Sequence, residues 1–570
     1  MSKIMKGVVA SDGIAVGRAV LFLKEKLQPK IEKINDNQIE SEKEKFLNAL
    51  SEYSKYLKKL EVNTKAQQGV VDAHMGMLED PFLIETVNNK IDSNQNVEKA
   101  LDDSILEMVS MIEALDDPYL KERAVDYKDI GEKLLYILKG LEPRRLSPLP
   151  KNSIIVSNEL TPSDTSSMDK DNVIGFAMDL GGKTAHTSII AQTLGIPAIV
   201  GMKNVTSHVK DGDMLIIDNE EGKLFVNPDE EILQDYRNKS FKLKEEKERL
   251  EKLKYEDAIT PDNKKIEVAV NIGNLEDLKK GIDKGAKSVG LFRTEFLYME
   301  NTHFPTEEEQ FKVYAQAAKM LNGNTLIIRT LDIGGDKSLS YFKFPQEENP
   351  FLGWRALRIC FDMQDVFETQ LKAILRASAF GEVKILLPMV ISVDEIIKVK
   401  AIIDGVMKDL RIRGDDFNPD IEIGIMIETP ASAVIADDLI EYVDFFSIGT
   451  NDLTQYVLAV DRGNEKISEL YSTYNKAVLR LIKRVIEVSH EHGKWTGMCG
   501  GFAGDAKATK MLLGMGLDEF SVPGPKVPKI KDIIRNTTLE EGEKFTQEIL
   551  ALKTTQDIEK RIESEWNKKI

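Results

Sequence analysis

An α/β multidomain fold ending in a (β/α)8 barrel is predicted by three features of this 570-residue chain. After Pro261, strand-like and helix-like segments alternate about eight times over the last 310 residues, the rhythm of a (β/α)8 barrel. Between about 30 and 140, glycine and proline are scarce and apolar residues recur at helical spacing. Strand-like residues flank that block on both sides, so a helical subdomain is inserted into a strand-rich α/β domain. The length alone asks for two to four cores.

Taken in order, residues 1–20 carry strand signals around Gly7-Val8-Val9-Ala10 and Ala15-Val16-Gly17. In the helical block the breakers are Gly69, Gly76, Pro81, Pro118, Gly131 and Gly140, while Leu57, Leu60, Leu101, Ile105, Met108 and Ile112 mark apolar faces. The window 31–140 holds 23 acidic and 14 basic residues, half of the net charge of −18. A solvated face is the ordinary explanation of such charge, and a docking face for a basic partner is the other. Strands return at Ser153-Ile154-Ile155-Val156 and run through Val173–Met178 to Leu224-Phe225-Val226. From 229 to 260 there is neither Gly nor Pro, and Glu245/Arg249 and Glu248/Lys252 stand at i,i+4 with the acid first. A charged linker helix is predicted there. The eight barrel strands fall at 266–272, 288–292, 326–328, 384–389, 423–427, 445–448, 495–498 and 519–522.

Composition narrows the function. Hydrophobic residues at 42% and charged residues at 30% give a globular profile. The negative charge makes nucleic acid and anionic membrane poor partners. The start, Met1-Ser2-Lys3-Ile4-Met5-Lys6, lacks the apolar stretch of a signal peptide, and no apolar run approaches the length of a membrane span. Cys360 and Cys499 are far apart in sequence, which predicts no disulfide framework and a reducing cytoplasm. None of the six histidines forms a zinc motif with cysteine.

Chemistry concentrates in two places. The first is the run Asp179-Leu180-Gly181-Gly182-Lys183-Thr184-Ala185-His186-Thr187-Ser188-Ile189-Ile190, which follows a buried strand and enters a helix of about two turns closed by Gly195 and Pro197. His186 would face unpaired backbone N–H groups, a ready anion site, and the positive helix end disfavours imidazolium. A neutral, nucleophilic histidine that takes up a phosphoryl group is one reading; a helix-capping histidine is the other.

The second place is the C-terminal ends of the barrel strands, where such folds carry function. They lead into Arg293-Thr294-Glu295, Arg329-Thr330 followed by Asp332-Ile333-Gly334-Gly335-Asp336-Lys337, Glu428-Thr429-Pro430, Gly449-Thr450-Asn451-Asp452 and Cys499-Gly500-Gly501, with Arg462 soon after. Convergent arginines suit a multiply charged anion, since the guanidinium fork matches phosphate and carboxylate oxygens in pairs. Glu428 and Asp452 suit Mg²⁺, which prefers hard oxygen ligands and shares its sphere with substrate and water. A thiol at a strand end can give a proton to carbon. Taken singly, each arginine reads as a salt-bridge partner and each cysteine as a small apolar filler. Their agreement at five strand ends marks an active domain.

These residues carry a resemblance. The segments Leu160-Thr161-Pro162-Ser163, 181–190, 290–297, 328–337, Asn349-Pro350-Phe351-Leu352-Gly353-Trp354-Arg355, 425–431, 447–463 and 493–500 are similar to Enzyme I of the bacterial phosphotransferase system, the phosphoenolpyruvate–protein phosphotransferases, over essentially the whole chain. The resemblance implies a phosphohistidine α/β domain (1–20 and 145–228), a helical HPr-binding subdomain (21–144), a linker helix (229–260) and a phosphoenolpyruvate-binding barrel that dimerises (261–570). It implies that Arg293, Arg329, Asn451 and Arg462 hold phosphoenolpyruvate, with Lys337 and Arg355 nearby, and that Mg²⁺ sits on Glu428 and Asp452. His186 would attack the phosphorus, Thr165 would bond its imidazole, and Cys499 would protonate the enolate to pyruvate. The phosphoryl group would then pass to a histidine of the carrier HPr. Nucleophile and substrate site lie in different domains, so a swivel with hinges near Pro228 and Pro261 is expected.

Departures from the family pattern are Lys183 for Arg, Ala185 for Ser, Gln192 for Arg, Gly501 for an acidic residue, and the stretch Ser521-Val522-Pro523-Gly524-Pro525. They predict activity with an altered rate or carrier preference. A dikinase or synthase would need an ATP-binding domain of a few hundred residues, where this chain has a helical insertion of about 110 without a glycine-rich phosphate loop. A non-catalytic sensor of phosphoenolpyruvate is the remaining alternative, and intact His186, Cys499 and metal carboxylates oppose it.

Overall fold

The structure is a computed structural model. It describes all residues except 1–2, 24–26, 59–64, 115–117, 142–145, 147, 162–163, 165–167, 169–171, 182–190, 192–194, 336, 338, 465 and 569–570. The chain forms two compact units, Met1–Glu245 and Glu246–Ile570. Among the described residues no helix is long and apolar enough to cross a membrane.

The first unit is built on a mixed sheet. Its strands are β1 (Lys3–Lys6), β2 (Val8–Ser11), β3 (Ile14–Phe22), β4 (Ser153–Ser157), β5 (Val173–Met178), β6 (Ala198–Val200), β7 (Met214–Asp218) and β8 (Lys223–Val226), in the order β1-β8-β7-β3-β4-β5-β6-β2. β3 to β6 pair in parallel and the flanking pairs are antiparallel. Successive side chains of β4 alternate between faces: Ile154 and Val156 enter one core with Leu215 and Ile217, while Ile155 enters another with Phe176 and Val200. A strand buried on both faces reads as an unbroken apolar run, which is what Ile154-Ile155-Val156 shows.

Between β3 and β4 lie the helices Ile39–Lys58, Lys65–Leu78, Pro81–Asp92, Val97–Glu113 and Pro118–Leu138, around their own core of Phe46, Leu83, Ile91, Leu101 and Ile130. The breakers fall into two kinds. Pro81 and Pro118 open helices, where a missing N–H costs nothing, and Gly140 follows a helix end at φ +65°. Gly69, Gly76 and Gly131 instead lie inside helices. Gly131 is there for contact: a Cβ would sit 2.8 Å from Ile105 Cγ1 on the neighbouring helix.

The charged helix runs Glu230–Leu253 and stops short of 260. In the first unit, Leu233 and Tyr236 bury against Ile216 and Phe225, and the Tyr236 hydroxyl donates to Asp218 Oδ2 at 2.6 Å. In the second unit, the buried Lys531 ammonium takes the carbonyls of Lys254, Glu256 and Gly285 at 2.7–3.2 Å. The Lys254 and Glu256 carbonyls, just past the helix end, thus find a fixed donor in place of a further helical turn. Arg249 does not pair along the helix with Glu245; its guanidinium grips Asp532 bidentately at 2.7 and 2.8 Å.

The second unit is a closed barrel of eight parallel strands, the (β/α)8 or TIM architecture: β9 (Glu267–Ile272), β10 (Val289–Arg293), β11 (Leu326–Arg329), β12 (Val383–Leu387), β13 (Ile423–Ile427), β14 (Phe445–Ile448), β15 (Trp495–Met498) and β16 (Glu519–Val522), with β16 closing on β9. Period-two alternation sorts the side chains. Ile328, Ile385, Ile425, Ile427 and Phe446 point out to the helical layer, while Leu291, Ile327, Leu386, Met426 and Phe445 fill the lumen. Near the strand starts Phe445 and Trp495 stack at 4.5 Å, with the Lys384 ammonium 5.3 Å from the Trp495 ring. Glu519 is buried among them. Gly290 and Gly497 make room for it, since a Cβ at either would lie 2.5 or 2.8 Å from its carboxylate.

Burial, reinforced by the neighbouring Glu267, pushes the Glu519 carboxyl up to about 8 from an ordinary value near 4.5. The fold thus keeps a proton here that the unfolded chain has already released. This group's contribution to stability therefore falls as pH rises from about 4.5 to 8, then levels off. Glu519→Gln should leave stability near wild type at pH 5 and exceed it at pH 9 by about 1–3 kcal/mol. Thermal unfolding at the two pH values measures the difference; equal profiles would refute the assignment.

Candidate active site

The strand parity that fills the lumen also aims the functional groups. Arg293 lies two residues beyond Leu291, Arg329 two beyond Ile327 and Glu428 two beyond Met426, so each continues an inward-facing row. Cys499 closes β15 in the same way and is buried within the lumen cluster. Asn451 and Asp452 occupy the first turn of the helix Thr450–Leu458, and the left-handed Ala459 (φ 53°, ψ 41°) then turns the chain toward Arg462. Arg293, Arg329, Lys337, Arg355, Glu428, Asn451, Asp452, Arg462 and Cys499 all line one cavity of about 420 Å³.

Two carboxylates hold the cations in place. Glu295 Oε1 accepts from Arg329 Nη2 at 2.6 Å and from Lys337 Nζ at 2.8 Å. Asp332 pairs with Arg329 at 3.1 Å and Lys337 at 3.3 Å, and accepts from Arg355 through both oxygens at 3.0–3.2 Å. Burial alone would raise Glu295 and Asp332, but Arg329 and its neighbouring cations outweigh it and hold both below the ordinary carboxylate range. The Tyr456 hydroxyl accepts from Arg355 Nη1 at 3.1 Å and donates to the Phe351 carbonyl at 2.5 Å. Arg293 Nε and Arg329 Nε are buried without an acceptor among the described residues.

Cys499 is buried beside the Ile448 carbonyl, Sγ to O 3.8 Å. Burial pushes its thiol up to about 12, so near neutral pH it carries a proton it can give. Cys360 is buried and raised by the same cause, but it belongs to the outer core and fills space. Asn451 Oδ1 accepts from the Gly501 backbone N–H at 3.0 Å.

His186 and Thr165 lie outside the described residues, as do Lys183, Ala185 and Gln192. Pattern reading gave no role to Glu295, Asp332 or Tyr456, although the first two stand in the runs it singled out. The signal that could have found them is electrostatic: a barrel lumen cannot bury several arginines without counter-charges.

Three family descriptions match the chain: "PEP-utilising enzyme, N-terminal" over residues 6–123, "mobile domain" over 149–222 and "PEP-binding domain" over 247–539. A phosphoenolpyruvate-protein phosphotransferase of Staphylococcus aureus (strain MRSA252) is 44% identical over 565 residues, covering 98% of both chains. One from Haemophilus influenzae is 44% identical over 570 residues, again covering 98% of both. The chain belongs to the phosphoenolpyruvate–protein phosphotransferase family. A solved NMR structure of Enzyme I is 42% identical over 42% of this chain and 99% of its own, with a TM-score of 0.39.

For a phosphotransferase the remaining question at this cavity is the metal. Glu428 is buried, and burial together with Asp452 and Asp332 pushes its carboxyl up to about 8; its Oε1 accepts from the Met389 N–H at 2.6 Å. Asp452 Oδ1 is buried and without a hydrogen-bond partner among the described residues. A Glu428 carboxyl whose charge its surroundings disfavour, beside an Asp452 oxygen that takes no such hydrogen bond and only a long ion pair to Arg462 at 3.9 Å, fits a hard divalent cation. Mg²⁺ usually keeps substrate oxygens and water in its sphere beside one or two carboxylates, which two protein carboxylates would leave room for. Glu428→Gln should weaken Mn²⁺ binding, read by electron paramagnetic resonance, by about 100-fold or more. Unchanged affinity would remove Glu428 from the site.

Proposed function

We propose that this chain transfers the phosphoryl group of phosphoenolpyruvate to its own His186 and then to a histidine of the phosphocarrier HPr, releasing pyruvate, as the first step of the sugar phosphotransferase system. The observation that carries the reading is the cavity at the barrel mouth, where Arg293, Arg329, Lys337, Arg355 and Arg462 converge with two metal-type carboxylates and a protonated thiol.

The chemistry follows from those groups. Arg293, Arg329 and Arg462, with Asn451, bind phosphate and carboxylate of the substrate, and Lys337 and Arg355 extend the positive array. Glu428 and Asp452 would hold Mg²⁺, which when bound neutralises charge on the phosphate and carboxylate oxygens. His186 Nε2 forms a bond to phosphorus as the bond from phosphorus to the enol oxygen breaks, and pyruvate departs as its enolate. The fixed cations hold the charge that spreads over the phosphoryl oxygens and the leaving oxygen. Cys499 gives its proton to the enolate carbon, yielding pyruvate, and the thiolate is reprotonated from solvent. Thr165 orients the imidazole. HPr docks on the helical subdomain, residues 21–144, where the acidic surface suits a basic partner. A homodimer joined through the barrel, in a reducing cytoplasm, completes the reading.

Incubation with ³²P-phosphoenolpyruvate and Mg²⁺ without ATP should give acid-labile label, absent in His186→Ala and drained by HPr. Cys499→Ala should slow pyruvate formation roughly 10²–10⁴-fold, while the chain still accepts phosphate back from phospho-HPr. Absence of label would favour a sensor, and label only with ATP a dikinase.

A further inference from the structure

We propose that Asp332 is a positioning residue: its carboxylate, gripping Arg329, Lys337 and Arg355 together, sets these cations in the array that receives the substrate's phosphate. The proposal rests on the phosphotransferase reading and assigns a residue that reading leaves without a role.

Asp332 lies three residues past the end of β11 and is 1% exposed. Both oxygens are already engaged. Oδ1 accepts from Arg355 Nε and Nη2 at 3.2 and 3.0 Å, and Oδ2 meets Arg355 Nη2 at 3.1 Å, Arg329 Nη1 at 3.1 Å and Lys337 Nζ at 3.3 Å. Its backbone carbonyl takes Lys337 Nζ as well, at 2.9 Å. A carboxylate so occupied has no capacity left for substrate, and its charge repels an anion. It therefore acts through the cations. Arg355 Nη2 also meets Asp452 Oδ2 at 3.4 Å, so these three cations are balanced by carboxylates, and Arg293 and Arg462, which line the same cavity, add the positive charge that an anionic ligand can take.

The backbone shows that this contact is imposed. Gly334, at φ +93°, packs so closely that a Cβ would lie 2.4 Å from the Trp354 carbonyl. Ala356 donates its N–H to the Ile333 carbonyl at 3.1 Å. Ala356 itself is held at φ 53°, ψ −127°, a conformation L residues rarely adopt, directly after Arg355. Such strain persists only where surrounding contacts over-determine it. The contacts that hold Ala356 there, its bond to Ile333 and the close approach of Gly334 to Trp354, keep Arg355 beside Asp332.

Steady-state kinetics of the full chain test this. Asp332→Asn should raise KM for phosphoenolpyruvate at least fivefold. A merely structural loss would lower the active fraction and the melting temperature but leave KM unchanged. Asp332→Glu keeps the charge and shifts it by one methylene, and it decides if the asparagine variant does not fold: a fivefold rise supports positioning and a smaller one overturns it. Failure of the phosphotransferase reading would appear separately, as wild type that takes no label. Calorimetric binding of phosphoenolpyruvate to wild type and variant, with the same fivefold criterion on Kd, would then still decide the role of Asp332.

Discussion

The arrangement at the barrel mouth depends on one buried carboxylate among like charges. Two cations about 4 Å apart repel by about 4 kcal/mol at an effective dielectric of 20, and a whole domain is stable by only about 5–15 kcal/mol. Arg329, Lys337 and Arg355 could not share the end of one lumen on those terms. Asp332 touches all three, Glu295 two of them and Asp452 one, so the repulsion becomes a balanced network. In the proposed reaction this network is the frame against which the substrate's anionic groups are held.

Barrel geometry supplies the rest. A strand that packs Leu291, Ile327 or Met426 into the lumen must, two residues later, aim Arg293, Arg329 or Glu428 the same way. The apolar layer beneath excludes water from the floor of the cavity, which strengthens each electrostatic contact above it. The same exclusion keeps Cys499 protonated and pushes the Glu428 carboxyl up to about 8, with Asp452 and Asp332 adding to it.

Much of this was legible in the sequence, for physical reasons. Strand periodicity located all eight barrel strands, and 423–427, 445–448, 495–498 and 519–522 agree to the residue with β13 to β16. The site residues named from strand ends line one cavity because each was singled out for chemistry aimed at a common ligand, and strand ends of a barrel converge on one mouth. Glu295 and Asp332 were missed because they complement other residues of the protein, and that complementarity exists only after folding. The helix 229–260 ends earlier, at Leu253, because the absence of Gly and Pro says where a helix can continue, not where a tertiary donor such as Lys531 will take the carbonyls of Lys254 and Glu256. Gly131 looked like a break for a similar reason: its purpose, contact with Ile105, is tertiary.

The central claim is that the cation array is preset. Crystal structures of the His186→Ala chain with and without phosphoenolpyruvate and Mg²⁺ test it directly. The guanidinium groups of Arg329 and Arg355 should move by less than about 1 Å on binding, as in pre-organised sites, with their bonds to Asp332 kept. Arginines that leave Asp332 and swing several ångströms to meet the substrate would contradict it.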